Sequence, residues 1–198
     1  MFAKLSVILI ALAATTVWAQ PPENSKNQTK VSNAHQTHLV LPNIIVVDSQ
    51  NHEHRLLDLL TDQIAIVNFV FTSCTTICPV LSATMQAIEK QLQDQLGKGV
   101  ILVSISVDPT RDTPDKLRTY AERLGAGQHW YWLTGRPSEI NQLLKAFGIP
   151  IGRPEDHPPI ILAGNANSDN WLRWVGIPSP ETIIEAIDVL ARDNLQRK

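Results

Sequence analysis

Asn68-Phe69-Val70-Phe71-Thr72-Ser73-Cys74-Thr75-Thr76-Ile77-Cys78-Pro79 contains the chain's only two cysteines, and its reading decides the fold. The run Ile64 to Phe71 is apolar and rich in β-branched and aromatic side chains, which predicts a buried strand. It breaks at Thr72-Ser73, and a helical pattern begins at Pro79. Proline suits the first helical position, where its missing N–H leaves nothing unpaired. Cys78 is then expected as the N-cap, with Cys74 on the loop before it. Both sulfurs would lie at a helix N-terminus, whose partial positive charge favours thiolate over thiol. Strand, cysteine loop and helix make a site for thiolate chemistry, either redox or metal-binding.

Downstream, Leu81, Met85, Ile88, Leu92 and Leu96 recur at helical spacing as one apolar stripe, ended by Gly97-Lys98-Gly99. Val100 to Val107 is a near-continuous apolar strand, the pattern of burial on both faces of a parallel sheet. Asp108-Pro109 stops it, and Asp112-Thr113-Pro114 caps and starts a helix running to Leu124. A short strand, Trp130 to Leu133, precedes a helix from Glu139 to Phe147. The Pro- and Gly-rich stretch 148–159 reads as a surface loop. Two strands, Ile160 to Ala163 and Trp171 to Val175, and a final helix opened by Pro180 complete the pattern. The tryptophans 130, 132, 171 and 174 read as core and edge packing.

Upstream, Leu39 to Val47 and the return through His52 to Leu57 suggest an N-terminal β-hairpin around Asp48-Ser49-Gln50-Asn51. Residues 20–38 are polar and read as a flexible tail, because such a segment cannot offset its ordering entropy by burial. Met1-Phe2-Ala3-Lys4, the apolar stretch Leu5 to Val17 and the small residue Ala19 describe a signal peptide, residues 1–19, cut after Ala19. An uncleaved anchor is the alternative, though the stretch is shorter than the roughly 20 residues a spanning helix needs. The mature protein is expected in a periplasm. Residues 39–198 then form one domain, with alternating strands and helices that imply an α/β fold around a central, mostly parallel sheet. A formal charge of −2 offers no basic footprint for nucleic acid. Two cysteines are too few to scaffold a domain of this size, so the pair is free to serve function.

The spacing Cys74-x-x-x-Cys78 is one residue wider than the thioredoxin kind. It still allows a disulfide, and it lets both sulfurs grip one ion; two thiolates alone suit Cu(I), and Cu(II) would want added imidazole. The best third ligand is His157, which precedes a core strand on a loop expected to face the cysteines, with Asp156 placed to orient the imidazole. Asp108 and Arg111 follow the Val100–Val107 strand, where sites collect in such sheets, and could tune the dithiol or simply cap secondary structure. His35 and His38, and His52 and His54, have metal-like spacings, but solvated histidines are the default reading.

With these motifs the chain resembles the SCO/SenC family of exported thioredoxin-like proteins associated with assembly of the CuA centre of cytochrome c oxidase. The matching residues are Phe69 to Pro79, Ser104 to Pro114 (the segment S-I-S-V-D-P-T-R-D-T-P) and Asp156-His157. The resemblance implies a thioredoxin-like fold, copper ligation by Cys74, Cys78 and His157, a reversible Cys74–Cys78 disulfide, and the apo-CuA subunit as partner. Peroxiredoxins share the fold but use a different cysteine signature. The chain departs from the family after the histidine: Pro158-Pro159-Ile160 stands where a serine, then an aromatic and an acidic residue are usual. One of these two prolines is expected to be cis, tilting this member toward thiol exchange. Three readings follow: copper delivery, thiol–disulfide exchange on partner cysteines, and a binding module with an incidental disulfide.

Overall fold

The central strands are near-continuously apolar and buried at every position, because both faces of the sheet are covered by helices. The structure, a computed structural model, describes residues 33–196. The expected signal peptide and the tail up to residue 32 lie outside the described residues. The strands are β1 (His35–His38), β2 (Ile45–Asp48), β3 (Glu53–Arg55), β4 (Ile64–Val70), β5 (Val100–Ser106), β6 (Trp130–Thr134), β7 (Ile160–Gly164) and β8 (Asn170–Val175). The helices are α1 (Leu56–Thr61), α2 (Ile77–Gln91), α3 (Pro114–Leu124), α4 (Pro137–Ala146) and α5 (Pro180–Gln196). All eight strands join one sheet in the order β1-β8-β7-β4-β5-β6-β2-β3.

Side chains alternate across a strand, so the central strands feed two cores. Ala65, Val67 and Phe69 of β4, with Ile101, Val103 and Ile105 of β5, pack under Leu56 and Leu60 of α1 and Ile140, Leu143 and Leu144 of α4. Ile66 and Val70 of β4 and Leu102 of β5 face Leu81, Met85 and Ile88 of α2, Leu117 of α3 and Ile183 and Ile187 of α5. Trp130, Trp132, Trp171 and Trp174 are all buried, as expected of core packing. Burying one large side chain contributes about 1.5–3 kcal/mol, so these two layers dominate the stability of the fold.

The sheet corrects one expectation. Among the described residues, only β4–β5 and β5–β6 pair as parallel strands; the other five strand pairings are antiparallel. Parallel neighbours need a crossover, and only α2 and α3 supply one between adjacent strands. The hairpins β2–β3 and β7–β8 and the added strand β1 surround this small parallel centre. Residues 35–38, expected at the end of the tail, are instead a strand that pairs with Arg173–Asn170 of β8. Sequence pattern could not show this, since exposed edge-strand residues carry little apolar signal.

Candidate dithiol site

The ends of β4 and β5 lie side by side, with Val70 opposite Ser106, and two loops leave from there. The first carries the cysteines. After β4 the backbone turns tightly, Cys74 N–H donating to the Phe71 carbonyl at 3.1 Å. Helix α2 starts at Ile77 with Thr76 as its N-cap, two residues earlier than Pro79 suggests. Cys78 therefore sits inside the first turn and not at the cap. Thr76 makes no side-chain capping bond; instead Cys78 N–H donates to the Cys74 sulfur at 3.3 Å. The sulfur takes the place of a capping oxygen for one of the unpaired N–H groups that open every helix.

This geometry separates two thiols that the sequence leaves alike. Burial pushes Cys74 up, but hydrogen bonds from the Cys78 thiol, the Cys78 and Thr76 backbone and the Thr76 hydroxyl outweigh it, leaving Cys74 below the ordinary thiol value. Cys78 is 1% exposed, and burial, with the bond to the Cys74 sulfur and its charge, pushes it up to about 12. Cys74 is therefore the more readily ionised sulfur of the pair. Phe71 packs on both, with Ile77 and Val107 alongside.

The residue that anchors this loop is Asp112, read from the sequence only as part of a helix start. Thr113 is the true cap of α3, its side chain accepting from Lys116 N–H. The Asp112 carboxylate is 1% exposed and accepts from Thr72 N–H at 3.2 Å, Thr72 hydroxyl at 2.6 Å and Ser106 hydroxyl at 2.7 Å. It ties Thr72 of the cysteine loop to the end of β5. A buried carboxylate is costly without such donors, which makes it a positioning group. The signal available in sequence is Asp112 four residues after Asp108, with Asp112 N–H donating to the Asp108 carbonyl at 2.9 Å.

His157 arrives on the loop between α4 and β7, after a 3-10 turn at Pro154–Asp156. It is 7% exposed and packs edge-on against Phe71, ring centroids 5.8 Å apart. Its Nδ1 lies 2.6 Å from the Pro154 carbonyl and its Nε2 lies 3.4 Å from the Phe69 carbonyl. The ring thus reaches the end of β4 and touches the phenylalanine that covers the sulfurs. No three His, Cys, Asp or Glu side chains among the described residues are gathered as a metal-binding group, so His157 is a neighbour of the dithiol and not yet joined to it. Asp156 does not orient the imidazole as expected. It forms a two-pronged pair with Arg153 at 2.8 and 2.9 Å, and the Pro154 carbonyl takes the orienting role. The cis-proline expectation is also overturned: no peptide bond among the described residues is cis, Pro158 and Pro159 included. A trans chain through both prolines fits the extended approach of the loop to β7.

Asp108 is buried and binds Arg111 Nε and Thr110 hydroxyl, while its N–H donates to Ser106 hydroxyl at 3.0 Å. Arg111 also comes within 4.0 Å of Glu155, linking the β5 loop to the loop of His157. His35 and His38 lie on β1, where His38 meets Asp169 at 3.2 Å. His54 and His52 both face Asp48, at 2.7 and 3.4 Å, which makes them hairpin contacts. A wider cleft of about 750 Å³ between α2 and Gly125–His129 touches none of the dithiol residues.

A family model described as SCO1/SenC matches residues 22–162. The chain belongs to the SCO1/SenC family. Among its relatives, a Stutzerimonas stutzeri protein named for copper binding is 35% identical over 111 residues, 56% of this chain and 53% of that one. The SCO1 protein homolog of Bacillus subtilis is 33% identical over 116 residues, 57% of this chain and 60% of that one. The chain thus spans little more than half the length of these curated relatives. The solved structure of BsSco, described as a member of the Sco family of cytochrome c oxidase assembly proteins with a disulfide switch, superposes with a TM-score of 0.67 at 26% identity. It covers 79% of this chain and 95% of that one. The α/β, thioredoxin-like fold is therefore the one this SCO1/SenC member shares with solved relatives.

Proposed function

We propose that this SCO1/SenC chain is an exported, periplasmic copper-binding protein that delivers copper to, or prepares, the apo-CuA subunit of cytochrome c oxidase. The observation that carries the reading is the Cys74 sulfur at the mouth of α2, holding the Cys78 N–H at 3.3 Å. Copper is cargo here, and the donor types fit it: Cys74 and Cys78 supply thiolates for Cu(I), and an imidazole extends the set toward Cu(II). The Nδ1 contact of His157 to a backbone carbonyl is the arrangement that leaves Nε2 for a metal. Ligation by Nε2 requires the ring to turn from the Phe69 carbonyl. Export rests on the basic start and apolar stretch Leu5 to Val17.

The split between the two thiols favours a second reading, thiol–disulfide exchange on partner cysteines. Cys74 attacks as thiolate, forming a mixed disulfide and releasing a partner thiolate. Its negative charge is then gone, which removes one cause of the high Cys78 value and lets Cys78 complete the exchange. The two activities belong together, because only the reduced pair binds Cu(I).

Titration of the reduced protein with Cu(I) against a chromophoric chelator tests the first reading. Cys74→Ser should abolish retention, and His157→Ala should weaken it by about tenfold or more while sparing exchange with a small disulfide. Equal affinity in His157→Ala and the parent would remove His157 from the ligand set.

A further inference from the structure

Beside the cysteine loop, a cleft of about 280 Å³ is lined by Thr72, Asp115, Lys116, Thr119, Tyr120 and Arg123. Its place relative to the dithiol follows from two contacts. Thr72 lies on the cysteine loop, two residues before Cys74. The Tyr120 hydroxyl lies 3.4 Å from the Ser82 hydroxyl, and Ser82 stands one turn after Cys78 on the same face of α2. Burial raises the Tyr120 pKa, and the charges of Cys78 and Cys74 add to that, so the phenol feels both sulfurs.

The opposite wall is one stripe of α3. Lys116, Tyr120 and Arg123 recur at helical spacing, which sets the two cations two turns, about 10 Å, apart with the phenol between them. The one acid in the lining, Asp115, is answered by Arg118 at 2.6 Å. The cations are not answered. The Lys116 ammonium donates to the Arg111 carbonyl at 2.8 Å, and among the described residues neither it nor Arg123 meets a carboxylate. A chain of formal charge −2 thus keeps a positive spot next to its reactive sulfur.

We propose that this cleft docks an acidic segment of the protein whose thiols meet Cys74, its carboxylates lying between Lys116 and Arg123. The inference rests on the dithiol reading above and adds to it the charge of the partner. Without the cleft, a net negative protein should prefer basic partners, so the sign of the preference is diagnostic.

The test uses two disulfide-linked peptide dimers, identical except for four glutamates or four lysines around the single cysteine. The reduced protein attacks through Cys74, breaking the dimer S–S bond, forming a mixed disulfide and releasing one peptide thiolate. Cys78 loses its proton to solvent and displaces the second peptide thiolate, closing the protein disulfide. The glutamate dimer should react about tenfold or more faster than the lysine dimer at low ionic strength, with the gap closing as salt is added. Lys116→Glu/Arg123→Glu should reverse that order. Arg123→Glu alone, which disturbs no protein contact, should narrow the gap. The rate with uncharged bis(2-hydroxyethyl) disulfide measures the dithiol itself. Equal rates for the two dimers in the parent, or an order untouched by either variant, overturn the proposal. If even the uncharged disulfide fails to react, the exchange reading falls. Binding of a glutamate peptide with serine for cysteine, read by fluorescence anisotropy, then decides the docking alone: salt-sensitive binding lost in the double variant upholds it, and no binding overturns it.

Discussion

Cys78 donates its backbone N–H to the sulfur of Cys74 across 3.3 Å. That bond makes the Cys74 sulfur the effective cap of α2, since Thr76 supplies no side-chain bond of its own. A helix N-terminus concentrates partial positive charge within its first turn, so a sulfur seated there gains most as an anion. Cys78 is only four residues further on but points into the core, where the same helix cannot offset its burial. The functional asymmetry of the pair is a consequence of where α2 begins.

Alkylation by iodoacetamide should show this asymmetry directly. In Cys78→Ser, Cys74 should alkylate with a pH midpoint below an ordinary thiol; in Cys74→Ser, Cys78 should stay nearly unreactive below pH 9. Linkage fixes the sign for stability. Between the ordinary thiol value and about 12, Cys78 holds its proton in the folded state and loses it in the unfolded one, so stability should fall as pH rises through that window. Cys74 is lowered, so its contribution is present above the ordinary thiol value and is lost as pH falls through its folded value. Urea melts of the two serine variants at several pH values would separate these trends; matching pH slopes for both would refute the assignment.

Asp112→Asn replaces an acceptor of three bonds with an amide that cannot accept them all. The loss should cost about 2–3 kcal/mol, since donors left unmet in a buried site are expensive. The loosening should centre on residues 72–76, read as faster amide exchange there than in β4 or α2. Thr72→Val should resemble it and Thr72→Ser, which keeps the hydroxyl, should not. A uniform increase in exchange across the domain would show a general fold defect and not an anchored loop.

The sequence made some of this legible for simple physical reasons. Continuous apolar runs such as Ile64 to Phe71 and Val100 to Val107 have one good use, burial on both faces, and both became central strands. The cysteines and His157 stood out as reactive side chains beside strand ends. The helix start was misplaced because Pro79 suits more than the first helical position. Asp112 was missed because its partners, Thr72 and Ser106, are 40 and six residues away, and only the β4–β5 register brings them together. Asp156 was misjudged for the opposite reason: a guanidinium three residues away captured it.

Glu155→Gln, which leaves the Arg111–Asp108 pair in place, should test whether the β5 loop steadies the loop of His157. The 4.0 Å contact to Glu155 joins two half-exposed or exposed side chains, so its removal should cost less than about 1 kcal/mol. The measurable effect should be local: amide exchange at residues 151–157 rises, while that at residues 72–76, which Asp112 holds, does not. Unchanged exchange in both segments would show that the Arg111–Glu155 contact steadies nothing.

His157 carries the most specific prediction. A neutral imidazole has one N–H, and the 2.6 Å approach of Nδ1 to the Pro154 carbonyl requires the proton there. Nε2 is then left with a lone pair facing the Phe69 carbonyl at 3.4 Å, a contact between two acceptors. The ring therefore rests with its donor bond satisfied and its acceptor nitrogen poorly placed, an arrangement that a cation at Nε2 would relieve. Nitrogen-15 correlation spectra of the neutral protein should show the Nδ1–H tautomer, and added Cu(I) should perturb Nε2 far more than Nδ1. An Nε2–H tautomer would overturn this assignment, because Nε2 would then be donating to the Phe69 carbonyl.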